Sequence, residues 1–225
     1  MSFWNITLRL FEGFGTTCLM FVLTLALSLP LGLVLSFGSM SKIKPLRYIT
    51  RGFVYVIRGT PLLLQLFIAV YIPGILGFPI TRWGVFGGDP NLARFCGALI
   101  AFVINYSAYF SEIYRGGIES ISRGQYEAGQ VLGMTSRQIF FKIVLLQVIK
   151  RIVPPICNET ITLVKDTALV RVVAVYELLF FAEEIVRNEF VIWPIFYTGA
   201  FYLAFNALLT WLFNKIEDKL SYFSS

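Results

Sequence analysis

Five apolar runs, separated by short polar stretches, set the rhythm of this chain. Residues 13–41 hold no charged side chain, and neither do residues 59–78, 95–111 or 190–214. A fifth run, 138–156, is less clean: it contains Lys142, Lys150 and Arg151 and ends in the pair Pro154–Pro155. About 20 apolar residues cross the hydrocarbon of a bilayer as a helix. The pattern therefore predicts an all-α polytopic membrane protein with about five transmembrane helices, in a single transmembrane domain over residues 1–225. Pro30 is an expected kink in the first span, and Pro61 suits the first turn of the second. Pro73 and Gly74 loosen that span's far end.

The connections are uneven. Residues 42–51 read as a basic connection with Lys42, Lys44, Arg47 and Arg51, and residues 79–94 as a turn-rich loop whose two aromatics suit a membrane interface. Residues 157–189 are apolar yet broken by Glu159, Lys165, Asp166, Arg171 and Glu177. Charges at membrane depth need partners or water, so this segment reads as re-entrant or buried in protein.

Composition supports the membrane reading. The 225 residues are 57% hydrophobic and 14% charged, where a soluble domain carries roughly 25% charged residues. The net charge of +6 is spread over the connections, without the dense cluster that nucleic acid demands. Cys18, Cys96 and Cys157 show no paired spacing and there is no histidine, so neither a disulfide framework nor a metal site is expected. The first apolar run is too long for a signal-peptide core and reads as a retained span. Orientation follows from the basic residues. With the N-terminus outside, cytoplasmic parts hold Lys42, Lys44, Arg47, Arg51, Arg115, Arg123, Arg137, Lys142, Lys215 and Lys219. The outside holds the smaller set Arg9, Arg82, Arg94, Lys165, Arg171 and Arg187. The bias favours N-out and C-in. No internal repeat is visible, so any twofold pathway needs a second chain.

Between the third and fourth runs lies a polar stretch, 124–140, GQYEAGQVLGMTSRQIF. Ser122 followed by Gln125 is a capping-box pattern, Gly133 sits where a helix ends in a left-handed residue, and Thr135 with Gln138 repeats the box. The spacing predicts a helix of about ten residues, 123–132, on the cytoplasmic side. It either docks another surface or lies on lipid.

The stretch resembles the EAA motif of ABC-importer permeases: Glu127-Ala128-Gly129, then Gly133, then Ile143-Val144-Leu145-Leu146. The segments RGTPLLLQLF (58–67), YSAYFSEIYRGGIESISRGQ (106–125) and PPICNETITLVKDTALVRVVAVYEL (154–178) resemble the polar amino-acid branch of that family. Three departures stand out: Gly129 for the second alanine, Leu146 for the usual proline, and KDTAL for the commoner KDTSL. The resemblance implies the membrane permease subunit of an ATP-driven importer of polar amino acids, in a bacterial plasma membrane. It implies a coupling helix at about 123–133, with Glu127, Ala128, Gly129, Leu132 and Gly133 docking a cytosolic P-loop ATPase dimer. No G-x-x-x-x-G-K-[ST] occurs, so ATP and its magnesium are expected on the ATPase, with no cofactor and no catalytic residue in this chain. A second permease subunit, alike or related, and an extracytoplasmic amino-acid-binding protein are the further implied partners.

Polar groups at membrane depth are the candidates for a substrate path: Gln65, Asn105, Tyr106, Ser107 and Tyr109, then Asn158, Glu159, Thr162, Lys165 and Asp166. Glu159 suits an ammonium or cationic side chain, and Lys165 a carboxylate. Alternatively, Lys165 and Asp166 pair to hold the fold, and Gln65 and Asn105 make helix–helix hydrogen bonds. A secondary transporter would show inverted repeats, which are not visible, and a membrane enzyme lacks chemistry to work with.

Overall fold

The structure is a computed structural model and describes residues 2–76 and 89–221. The described residues form helices and short connections, without a strand. Helix α1 runs Phe3–Ser39, with Pro30 inside it. It starts about three turns before the uncharged run that signals it, because Ser2 caps its first turn. Helices α2 (Lys44–Gly59) and α3 (Leu62–Ile75) follow. Helix α4 spans Pro90–Glu119, with Asp89 accepting from the Asn91 amide as its cap. The turn-rich loop expected at 79–94 is therefore helical from Pro90, and its part from 79 to 88, with Arg82 and both aromatics, lies outside the described residues.

The third uncharged run ends at Glu112, yet α4 continues for two more turns. Arg115 bonds both Glu112 and Glu119 along one face at helical spacing, which keeps the charged extension ordered. Helix α5 (Arg123–Val131) is the short helix foreseen. Helix α6 (Ser136–Ile139) passes through one wide π turn, Phe140–Val144, into α7 (Leu145–Asp166). The sequence suggested a span ending at Pro154–Pro155, but the helix runs through both prolines. Without water at depth, a chain that stays helical leaves fewer backbone groups orphaned than one that breaks.

The broken segment 157–189 thus resolves into the end of α7, a 3-10 turn over Thr167–Val173, and α8 (Leu178–Glu189). Left-handed residues, Ala174 and Phe190, close the 3-10 turn and α8. Helix α9 covers Trp193–Ser221, beginning three residues later and ending seven later than the uncharged run.

Among the described residues, three helices are long and apolar enough to cross a membrane: α1, α4 and α9; the bent pair α2–α3 makes a fourth candidate. Helix α7 carries too many charges for that class. Helix α1 makes its widest contact with α4, through small residues every fourth position: Thr24, Ser28, Gly32 and Ser36 are all buried. A Cβ on Gly32 would come 2.8 Å from the Phe110 Cβ and 3.0 Å from the Ser107 carbonyl. Where lipid removes the hydrophobic drive between helices, such close approach supplies the attraction. The main core lies where α1, α3, α4 and α7 meet, around Met20, Leu66, Phe102, Tyr106, Phe110 and Leu163. A smaller one joins α1 to α8 and α9 around Leu10, Leu178 and Ile185.

Candidate functional site

Two places stand out, a polar cavity beside the α2–α3 break and the exposed helix α5. The cavity begins with the sequence Gly59-Thr60-Pro61. A residue before proline is pushed out of the helical region, and Thr60 is extended at φ −113°, ψ 144°. That break turns α3 by 104° from α2. It also frees carbonyls at the end of α2, and Gln65 reaches back to them. Its Nε2 donates to the Ile57 carbonyl at 2.8 Å and to Thr60 Oγ1 at 2.8 Å, while its Oε1 accepts from Asn105 Nδ2 at 3.1 Å. Gln65 is a brace behind the cavity wall, and Asn105 is its partner on α4. The helix–helix alternative describes this pair.

The cavity, of about 500 Å³, lies between this break, α4 and α7. Asn105, Tyr106 and Tyr109 line it from α4, and Glu159, Thr162 and Asp166 from α7. The last three recur at i, i+3 and i+7, which is one helical face. Tyr106, buried, donates to Asp166 at 2.7 Å. Ser107 is also buried, but its hydroxyl bonds the Ile104 carbonyl within its own helix.

Two candidates lie elsewhere. Asn158 and Lys165 are exposed on α7, on the side of Thr162 away from Glu159 and Asp166, and do not line the cavity. Helical spacing, unseen while 157–189 read as irregular, separates them from Glu159 and Asp166. Asp166 pairs with Tyr106 and not with its neighbour Lys165.

Sequence reasoning missed Arg58. It lines the cavity from the last turn of α2, lies over the Tyr109 ring at 5.2 Å, and faces Glu112 at 3.5 Å. The signal was present, a lone cation directly before Gly-Thr-Pro in an apolar neighbourhood. Arg58 also lines a second, smaller cavity of about 230 Å³ with Arg51, Glu112 and Arg115.

At α5, Glu127, Ala128, Leu132 and Gly133 are exposed, and Leu132 and its neighbour Val131 are 77% and 88% exposed. Gly129 is the buried residue of the helix. The C-terminal stop is a Schellman motif: the Met134 amide donates to the Gly129 carbonyl at 3.0 Å and the Gly133 amide to Gln130 at 2.9 Å, with Gly133 at φ +71°. At the N-terminus the expected capping box is not made. Ser122 forms no side-chain cap bond, and the Gln125 side chain instead accepts from Gln147 of α7 at 3.1 Å. The second box, Thr135 with Gln138, is complete. Arg151 of α7 donates to the Ser120 carbonyl at the end of α4. Ile121, Ile139, Val144 and Val148 pack beneath. Helix α5 is thereby tied to α7, which carries Glu159 and Asp166 about 12 to 19 residues further on, roughly 18 to 28 Å along a helix.

Over residues 11–222 the chain matches the family described as binding-protein-dependent transport system inner membrane component. It is similar to the L-cystine transport system permease protein TcyB of Bacillus subtilis, 38% identical over 221 residues covering 97% of this chain and 88% of that protein. The arginine transport system permease protein ArtQ of Bacillus subtilis is 34% identical over 211 residues, covering 93% and 91%. The crystal structure of an amino acid ABC transporter with histidines superposes with a TM-score of 0.84 at 29% identity, covering 97% of this chain and 99% of that one. Inward-facing structures of the MetNI methionine ABC transporter share the fold, with a TM-score of 0.71 at 18% identity and coverage of 98% and 99%. The match over residues 11–222 and these identities place the chain: it belongs to the family of binding-protein-dependent transport system inner membrane components.

Proposed function

We propose that this chain is the permease subunit of an ABC importer for polar amino acids, with the cavity beside the α2–α3 break as part of the substrate path. The observation that carries the reading is the single helical rod α7, which joins exposed α5 to the acidic side chains of the cavity. Glu127, Ala128, Gly129, Leu132 and Gly133 belong to the coupling helix that docks a cytosolic P-loop ATPase dimer. ATP and magnesium are held there. When the ATPase dimer closes, the docked α5 moves, and its ties through Gln147 and Ile139 shift α7 against α4, to whose end Arg151 is bonded. That changes access to the cavity. Helix α7 is the fifth crossing, its charges sheltered by protein and by a second permease subunit, with the N-terminus outside and the C-terminus cytoplasmic. An extracytoplasmic binding protein delivers the substrate.

Cavity chemistry suits a zwitterion or a cation. Asn105, Tyr109 and Thr162 offer hydrogen bonds, and Glu159 and Asp166 face an ammonium. Relatives whose names specify L-cystine, arginine and glutamine fit the same zwitterionic class. Lys165, exposed and outside the cavity lining, gives up the carboxylate role in this reading.

Gentle solubilisation of tagged wild type and Glu127→Lys tests the coupling helix. The expected result is a P-loop ATPase in stoichiometric amount with the wild type and its loss in the variant; identical behaviour of the two chains would sink the docking assignment. Glu159→Gln tests the cavity, and an unchanged uptake rate and substrate range would remove Glu159 from the path.

A further inference from the structure

Arg58 stands at the boundary of two cavities and has no tight partner in either. Its ion-pair partner, Glu112, lies at 3.5 Å, longer than a good hydrogen bond, and the Glu159 carboxylate acts on it from the larger cavity. Glu112 is meanwhile held by Arg115 in a two-pronged pair at 2.6 and 3.0 Å. In the smaller cavity three guanidinium groups, Arg51, Arg58 and Arg115, surround that one carboxylate. The anion is already satisfied by Arg115, so Arg58 is the cation with charge to spare.

Its surroundings keep it in place without neutralising it. The guanidinium lies 5.2 Å from the centroid of the Tyr109 ring, a cation–π arrangement. Tyr109 itself lines the larger cavity, and so do Gly59, Thr60 and Pro61 beside Arg58. Across that cavity stand the two acids of α7, Glu159 and Asp166. One wall thus offers a cation and the opposite wall offers carboxylates. A molecule carrying both a carboxylate and an ammonium has only one orientation that matches this polarity.

We propose that Arg58 is the residue that reads the substrate's α-carboxylate, released from its loose contact with Glu112 as the substrate enters. This rests on the reading of the cavity as the substrate path and adds the group that sets orientation there. A planar guanidinium takes a carboxylate through two parallel hydrogen bonds, which Glu112 at its present distance does not provide. Glu112 and Arg115 act as a waiting position beneath the cavity: they hold Arg58 near the path when it is empty and leave it free to turn upward.

The test uses the complete transporter, co-expressed with its ATPase and binding protein and reconstituted in liposomes. L-arginine, L-glutamine, L-histidine and L-cystine are each presented beside the corresponding carboxamide, which keeps the ammonium and loses the carboxylate charge. For the transported amino acid, the wild type is expected to prefer the acid over its amide by about 10- to 100-fold in kcat/KM, the value of a charge-assisted pair. Arg58→Gln is expected to bring that ratio close to one, and Arg58→Lys to restore part of it. Glu112→Gln, which removes the waiting partner, is expected to keep the preference. A merely structural arginine would lower uptake of acid and amide together and leave their ratio unchanged, which would overturn the proposal. Preserved preference in Arg58→Gln would overturn it equally. If the wild type carried none of the four, the amino-acid reading of the cavity would fall, and this inference with it.

Discussion

Gly129 lies flush against Ile139: a Cβ at residue 129 would come 2.6 Å from the Ile139 Cγ1 and 2.9 Å from its Cδ1. This accounts for the glycine that stands where the family motif has its second alanine. Helix propensity alone favours Gly129→Ala by up to about 1 kcal/mol. Ile139 is 1% exposed, so its side chain is closely surrounded, and forcing a methyl group into a packed site costs roughly 1–3 kcal/mol. The clash wins, so Gly129→Ala lowers the melting temperature of the purified chain and loosens α5. In an Ile139→Ala background the same change reverses sign and stabilises. A double-mutant cycle in detergent reads both, and a stabilising single Gly129→Ala would refute the contact.

Tyr106 and Asp166 link α4 to α7 at the cavity floor. Removing the hydroxyl with Tyr106→Phe leaves a partly buried carboxylate without its donor, a loss of about 1–3 kcal/mol. Tyr106→Phe and Asp166→Asn are expected to slow uptake to similar extents, and the double variant to be little worse than either. Additive losses in reconstituted uptake would show that the two residues act separately.

Glu177 is fully buried and caps α8, accepting from the Leu179 and Phe180 amides at 2.8 and 2.7 Å and from Tyr202 at 3.2 Å. Glu177→Ala orphans two backbone donors and a hydroxyl, at a cost of roughly 2–4 kcal/mol. Glu177→Gln keeps the carbonyl oxygen and is expected to retain a good part of that stability. Thermal unfolding of the two variants, monitored by circular dichroism, checks the order.

The two cap patterns around α5 give a contrasting pair. Thr135→Ala breaks a completed box and is expected to cost about 1 kcal/mol, whereas Ser122→Ala removes no cap bond and is expected to change stability by less than about 0.5 kcal/mol. Hydrogen exchange of the first-turn amides of α5 and α6 distinguishes them, and equal acceleration in both variants would contradict the geometry.

Those caps show how far the sequence could be read. Gly133 and the Thr135 box are local devices, so spacing alone reveals them. The Ser122 box failed because Gln125 finds Gln147, a partner 22 residues away that no local pattern encodes. The apolar runs marked α1, α4 and α9 because burial in lipid is a composition effect. Helix α2 escaped notice: its basic residues look like a connection, and only Thr50 and Val54 are buried. The prolines of α7 look like a stop in a sequence but are accommodated in a helix with no better place for its backbone. That error hid the α7 face on which Glu159, Thr162 and Asp166 line the cavity. Arg58 was legible as a motif residue, and its role became visible only when the break at Thr60–Pro61 set it beside Tyr109.

The cap at Glu177 also bears on how the chain is made. Gly13 packs so closely on Glu177 that an added Cβ would lie 2.9 Å from its carbonyl oxygen, and Thr17 Oγ1 accepts from the Leu178 amide at 3.3 Å. Helix α1 therefore carries a notch whose filling comes some 160 positions further along the chain, and Tyr202 completes the joint further still. A chain cut short before that point leaves the seam at Gly13 and Thr17 of α1 unfilled.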